Sequence, residues 1–142
     1  MNNKFIAIIA IAAFALLTFS CNGGGNSAAT GKPIKSGPAG NNLTVTISSA
    51  DGVLRDGKQD LTLTFADASG KPVDVGSASL NFFMPAMGTM AAMNSAAALT
   101  TTGTPGVYKA AVDIEHAGEW QAQVAYEGPA GKGKANIAVT AQ

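Results

Sequence analysis

The sequence predicts an all-β fold, an immunoglobulin-like antiparallel β-sandwich of about seven strands. Three observations predict it. Beyond residue 42, short runs alternate apolar and polar residues with period two, the pattern of strands that bury one face. Turn-forming clusters separate these runs, roughly every 8 to 12 residues. No amphipathic helical stretch follows the N-terminal apolar segment, which argues against a parallel α/β arrangement. The paired cysteines of antibody domains are absent, so the immunoglobulin likeness is one of architecture alone.

In chain order, residues 1–20 have the anatomy of a signal peptide. Lys4 gives a positive start, Phe5 to Leu17 form an apolar run too short for a comfortable membrane span, and Thr18-Phe19-Ser20 lead into Cys21, the chain's one cysteine. The placement of Cys21 resembles the lipobox of bacterial lipoproteins, with Leu17 one place earlier than the usual leucine. That resemblance implies cleavage before Cys21, acylation of its thiol and attachment to a membrane through the lipid. The expected location is the cell envelope, facing the periplasm or the exterior. Asn22, standing where aspartate is associated with inner-membrane retention, implies the outer membrane in a Gram-negative host. Acylation would leave the rest of the chain without a thiol. Residues 21–42 then read as the lipidated cysteine and a flexible Gly/Ser/Asn-rich tether, with Ile34 as its one large apolar residue and a reach of about 25 Å. The folded domain is expected over residues 43–142.

Within that domain Leu43, Val45 and Ile47 alternate with Thr44, Thr46 and Ser48, and Leu61, Leu63 and Phe65 alternate with Thr62 and Thr64. Asp67 to Pro72 form a turn by residue chemistry. Ala78, Leu80, Phe82 and Met84 make the inward face of a third strand. Ala96 to Leu99 fit either a short strand or a helical turn. Tyr108, Ala110, Val112 and Ile114 line a further strand, and Trp120, Ala122, Val124 and Tyr126 the one after the Ala117-Gly118 turn. Ala135, Ile137 and Val139 finish the sheet. Trp120 is expected to anchor the core, with Phe65, Phe82 and Tyr108 around it.

Composition narrows the function. Net charge is zero and 13% of residues are charged, so there is no basic surface on the scale that phosphate neutralisation demands, and nucleic acid is not expected as a partner. One histidine, no thiol beyond Cys21 and no G-x-S-x-G elbow leave few ways to assemble a nucleophile with its base, so the chain is not expected to be an enzyme. Asp51, Asp56 and Asp60 do not have the spacing of a calcium loop and read as a solvated turn. Gly23-Gly24-Gly25 has no helix behind it and reads as linker.

One stretch carries chemistry. Met84, Met87, Met90 and Met93 stand at a constant spacing of three, and the fifth methionine of the chain is Met1. Pro85 and Gly88 disfavour a helix, so an irregular loop leaving a strand is expected. Thioethers converging in such a loop suit Cu(I), a soft ion, and methionine has no proton to lose on binding. Met87, Met90 and Met93 are the expected ligands. Met84 continues the inward face of Leu80 and Phe82 and is core first, ligand second. His116 is the one imidazole available, although a histidine in a Glu115-His116-Ala117-Gly118 turn is most often simply solvated.

The run Phe83-Met84-Pro85-Ala86-Met87, followed by Leu99, Pro105-Gly106-Val107-Tyr108-Lys109-Ala110 and Gly118-Glu119-Trp120-Gln121, resembles the YtkA-like/FixH-like domain family over residues 43 to 140. The resemblance implies an extracytoplasmic β-sandwich with no established catalytic activity, often a lipoprotein or fused to metal-efflux or copper-related proteins. Members often carry histidine within or beside the methionine loop. Thr89 and Asn94 occupy that region here, which weighs against Cu(II), an ion that prefers nitrogen and oxygen donors. Small CopC-type copper carriers share the Met-rich β-sandwich composition, an analogy only.

Two functions follow as expectations. One is copper buffering or transfer, with Cu(I) held by the methionine loop and passed to a copper-handling envelope protein. The other is a non-enzymatic interaction module whose flexible methionines form an adaptable apolar contact for a protein partner.

Overall fold

The structure, a computed structural model, describes residues 31–142. The proposed signal segment and Cys21 lie outside those residues. Nine strands follow one another: β1 (Lys32–Gly40), β2 (Leu43–Ser49), β3 (Gly57–Ala66), β4 (Ser77–Met84), β5 (Met93–Ala96), β6 (Ala98–Thr101), β7 (Val107–Ile114), β8 (Gly118–Gly128) and β9 (Gly131–Ala141). They form two antiparallel sheets, ordered β1-β2-β3-β7-β6 and β5-β4-β8-β9. The fold is the all-β sandwich that the alternation predicts.

Alternation fixes which face is buried. On β8, Trp120, Ala122, Val124 and Tyr126 are all buried, and on β7 Tyr108, Ala110, Val112 and Ile114. Leu80, Phe82 and Met84 of β4 and Ala135, Ile137 and Val139 of β9 complete the inner faces. The aromatic centre differs from the expected one. Phe65 packs edge-on against Tyr108 and Tyr126, with ring centroids 6.0 and 5.3 Å away. Trp120 sits six residues, about 20 Å, back along β8 from Tyr126. There it is buried beside β9, and its Nε1 donates to the His116 carbonyl at 2.9 Å.

Two departures from the sequence reading concern the edges. Residues 32–40, expected as part of the tether, form β1 and pair along β2 from Lys32↔Ser49 to Gly40↔Leu43, while the earlier part of that expected tether lies outside the described residues. Pro33 and Pro38 made this stretch look like linker. On an edge strand, however, a proline costs no ladder bond when its missing N–H would face outward, and the register shifts at Pro33/Lys35 and Pro38/Gly40 take up the irregularity. Asn41 and Asn42, at φ 52° and 58°, make the two-residue turn into β2. Asn41 also donates to the Tyr126 hydroxyl at 3.0 Å, and that hydroxyl donates to the Gly40 carbonyl at 3.3 Å, tying β1 to the second sheet.

The other departure is the region of undecided structure around Ala96 to Leu99. It is two strands, β5 on one sheet and β6 on the other, joined through Ala97 alone. The Ala97 N–H donates to the Leu80 carbonyl at 2.9 Å as the chain crosses. One continuous segment therefore closes this side of the sandwich. The strand count rises from about seven to nine through β1 and this division.

Candidate functional site: the methionine hairpin

The methionine stretch is an ordered hairpin rather than an irregular loop. β4 and β5 pair through Met84↔Met93, and beyond them Met87 and Met90 form an isolated antiparallel bridge. Each of these two donates its N–H to the other's carbonyl, at 3.1 and 2.9 Å. Gly88, at φ 57°, and Thr89 turn the chain between them, a glycine being suited to the first central place of such a turn. The spacing of three thus becomes two rungs of a ladder, Met84 with Met93 at the base and Met87 with Met90 at the tip.

The rungs differ in environment. Met84 is 3% exposed, and its Cε packs so close to the β7–β8 turn that a Cβ on Gly118 would stand 3.2 Å from it. Met84 is a core residue. Met93 is half-buried and packs against the same core. Met87 and Met90, at 57% and 47% exposed, are the large apolar side chains that the described residues leave in solvent. Residues exchanging both backbone bonds across an antiparallel pair send their side chains to the same face, so the two thioethers at the tip emerge together.

His116 is exposed in the turn between Ile114 and Gly118. Its turn borders the base of the hairpin, through Gly118 and Met84, and its backbone carbonyl holds Trp120. Met87 and Pro85 also overhang a pocket of about 330 Å³ whose walls include Lys35, Glu119, Trp120 and Thr140. The hairpin, the His116 turn and the start of β1 therefore share one end of the sandwich. Of the three methionines expected to act together, Met87 and Met90 project at the tip and Met93 stands half-buried at the base.

The acidic loop at this end is internally satisfied. Asp51 accepts from the Val53 N–H at 3.2 Å and from Ser49 Oγ at 3.1 Å, and pairs with Arg55 at 2.5 Å. These contacts, the Val53 amide first, hold its carboxyl below the usual range despite partial desolvation. Among the described residues no three His, Cys, Asp or Glu side chains are grouped to hold a metal ion, so a site for a metal would have to draw on thioethers. The signal for the tip rung was in the sequence: Gly-Thr between two identical residues is the pattern of a two-residue hairpin loop with glycine first. Lys35 and Glu119 beside Met87 carried no such signal, because strands distant in sequence bring them there.

An all-β sandwich that displays a hairpin of exposed thioethers at one end defines the class of protein. The chain belongs to the YtkA-like family, whose model matches residues 39–125. The match runs from the last two residues of β1 into β8 and includes the whole hairpin and the His116 turn. No curated protein and no solved structure matches the chain.

Proposed function

We propose that this chain is a non-enzymatic cell-envelope lipoprotein, acylated at Cys21, whose hairpin tip binds Cu(I) for buffering or transfer to another envelope protein. The observation that supports the reading is the Met87–Met90 rung, two soft, neutral donors held side by side on one face and open to solvent. Such a pair favours a soft monovalent ion over zinc, magnesium or calcium. Met93 and His116, at the same end, are the candidates for a third donor. Met84 contributes by packing the hairpin onto the sandwich.

Competition with a Cu(I) chelator in reducing buffer tests this. Met87→Leu and Met90→Leu, each nearly volume-conserving, are expected to weaken binding at least tenfold, and the double variant to abolish it. Met84→Leu is expected to leave the affinity unchanged, and His116→Ala to cause a modest loss. Wild-type affinity in the double variant would overturn the copper reading.

A second reading is favoured by a separate observation. Residues 85–92 are all exposed and none is charged, which suits a contact surface for a protein partner. On that reading the double leucine variant keeps partner capture, because leucine preserves the apolar surface, and Met87→Glu loses it.

A further inference from the structure

We propose that the hairpin tip rests against the lipid surface that holds Cys21. The inference rests on acylation at Cys21 and names what the same tip faces. Three observations carry it. β1 starts at Lys32, paired with Ser49 at the end of β2, and Lys35 lines the same pocket as Met87, so the chain enters the sandwich at the hairpin end. Only residues 22–31 separate Cys21 from β1. A chain of ten residues with this Gly/Ser/Asn composition is expected to reach about 17 Å, whereas the eleven residues of β8 carry the opposite end of the sandwich about 36 Å away. The hairpin end is therefore the end held near the headgroups.

The surface presented there fits lipid. The tip from Pro85 to Ala92 is exposed throughout and carries no charge, and Met87 and Met90 are the exposed large apolar side chains of the described residues. Two thioether side chains are too little to hold a protein on a bilayer unaided. Beside an acyl anchor they need only orient a domain already confined there, and stable attachment commonly combines two weak signals. The tip settles into the headgroup and acyl boundary, and an ion held by Met87 and Met90 is then presented at membrane level.

The test uses the full acylated chain in phosphatidylcholine vesicles containing lipid brominated near the headgroup. In a Trp120→Phe background, which removes the chain's one native tryptophan, Thr89→Trp places an indole at the tip without removing a methionine, and Ala68→Trp places one in the exposed turn after β3, at the opposite end. Tip fluorescence is expected to be quenched at least twofold, and that of the distant turn to stay within about a tenth of its value in unbrominated vesicles. Equal quenching at both ends, or none at the tip, overturns the proposal. Absence of tip quenching that becomes protection from a soluble quencher only when envelope proteins are added also overturns it, in favour of a protein partner. Intact-mass measurement on the same preparation separates the failures: an unacylated chain defeats both this proposal and the lipoprotein reading. An acylated chain with an unquenched tip defeats this one alone. Cu(I) affinity, measured on the Cys21→Ser chain in solution, does not depend on either result.

Discussion

At the scale of single residues, the hydroxyl and indole groups of the core do more than fill space. Trp120 is 1% exposed and donates to the His116 carbonyl, so Trp120→Ala is expected to cost about 3 to 5 kcal/mol, the usual range for deleting a large buried aromatic. Trp120→Phe, which retains an aromatic ring but loses the donor, is expected to cost less. Urea unfolding of the two variants checks the order. Tyr108 donates its hydroxyl to the Gly76 carbonyl at 2.5 Å, and burial, with a smaller contribution from Asp74, raises its ionisation above the ordinary tyrosine value of 10.0. A raised value in the folded state means the native protein holds the proton more tightly than the unfolded chain. The stabilisation is thus full below about pH 10 and falls as pH climbs through the folded-state value. Tyr108→Phe is expected to cost about 1 kcal/mol at neutral pH through the lost hydrogen bond. It should also flatten the alkaline decline in stability, which a series of unfolding curves above pH 9.5 would show (about half a unit below the ordinary tyrosine value).

At the scale of elements, the hairpin and β1 mark where the sequence was readable and where it was not. Strands with one buried face announce themselves, and β2, β3, β4, β7, β8 and β9 were legible because each repeats apolar residues at every second place. β1 hides because it buries little beyond Ala39, so prolines and glycines displace the alternation. Its legible trace was the Asn41-Asn42 turn. β5 and β6 hide for another reason, since a strand that changes sheets at Ala97 changes the face it buries. Two measurements follow. A chain starting at Leu43 is expected to lose at least about 2 kcal/mol relative to one starting at Gly31, from the two Tyr126 hydrogen bonds at about 1 kcal/mol each. Within the hairpin, Met84→Ala is expected to cost about 2 to 5 kcal/mol, while Met87→Ala and Met90→Ala stay within about 0.5 kcal/mol. Equal costs at the two rungs would contradict the division between base and tip.

At the scale of the whole molecule, the two sheets meet in one core, and both lateral edges are closed, by β5–β6 on one side and by β1 packed along β9 on the other. The candidate stretch was recognisable from sequence as a methionine cluster. Its geometry was not, because a spacing of three is compatible with a convergent loop as well as with two rungs, and only the pairing of β4 with β5 distinguishes them. The pairing of β4 with β8 brings the His116 turn to the base of the hairpin, and the packing of β1 along β9 brings Lys35 to the same end.

The uncharged tip carries a further consequence for ionic strength. From Val75 to Tyr108 the chain contains no Asp, Glu, Lys, Arg or His, so the whole hairpin lacks ionised side chains. Dissolved ions weaken contacts between charged groups over a Debye length of about 10 Å at 0.1 M and about 3 Å at 1 M. Nothing on residues 85–92 is subject to that screening. Whatever docks on the tip should therefore keep its affinity within about twofold from low salt to molar salt, the opposite of an encounter steered by charge. Dissociation constants measured across that range, with the Thr89→Lys variant as the salt-sensitive comparison, would show it.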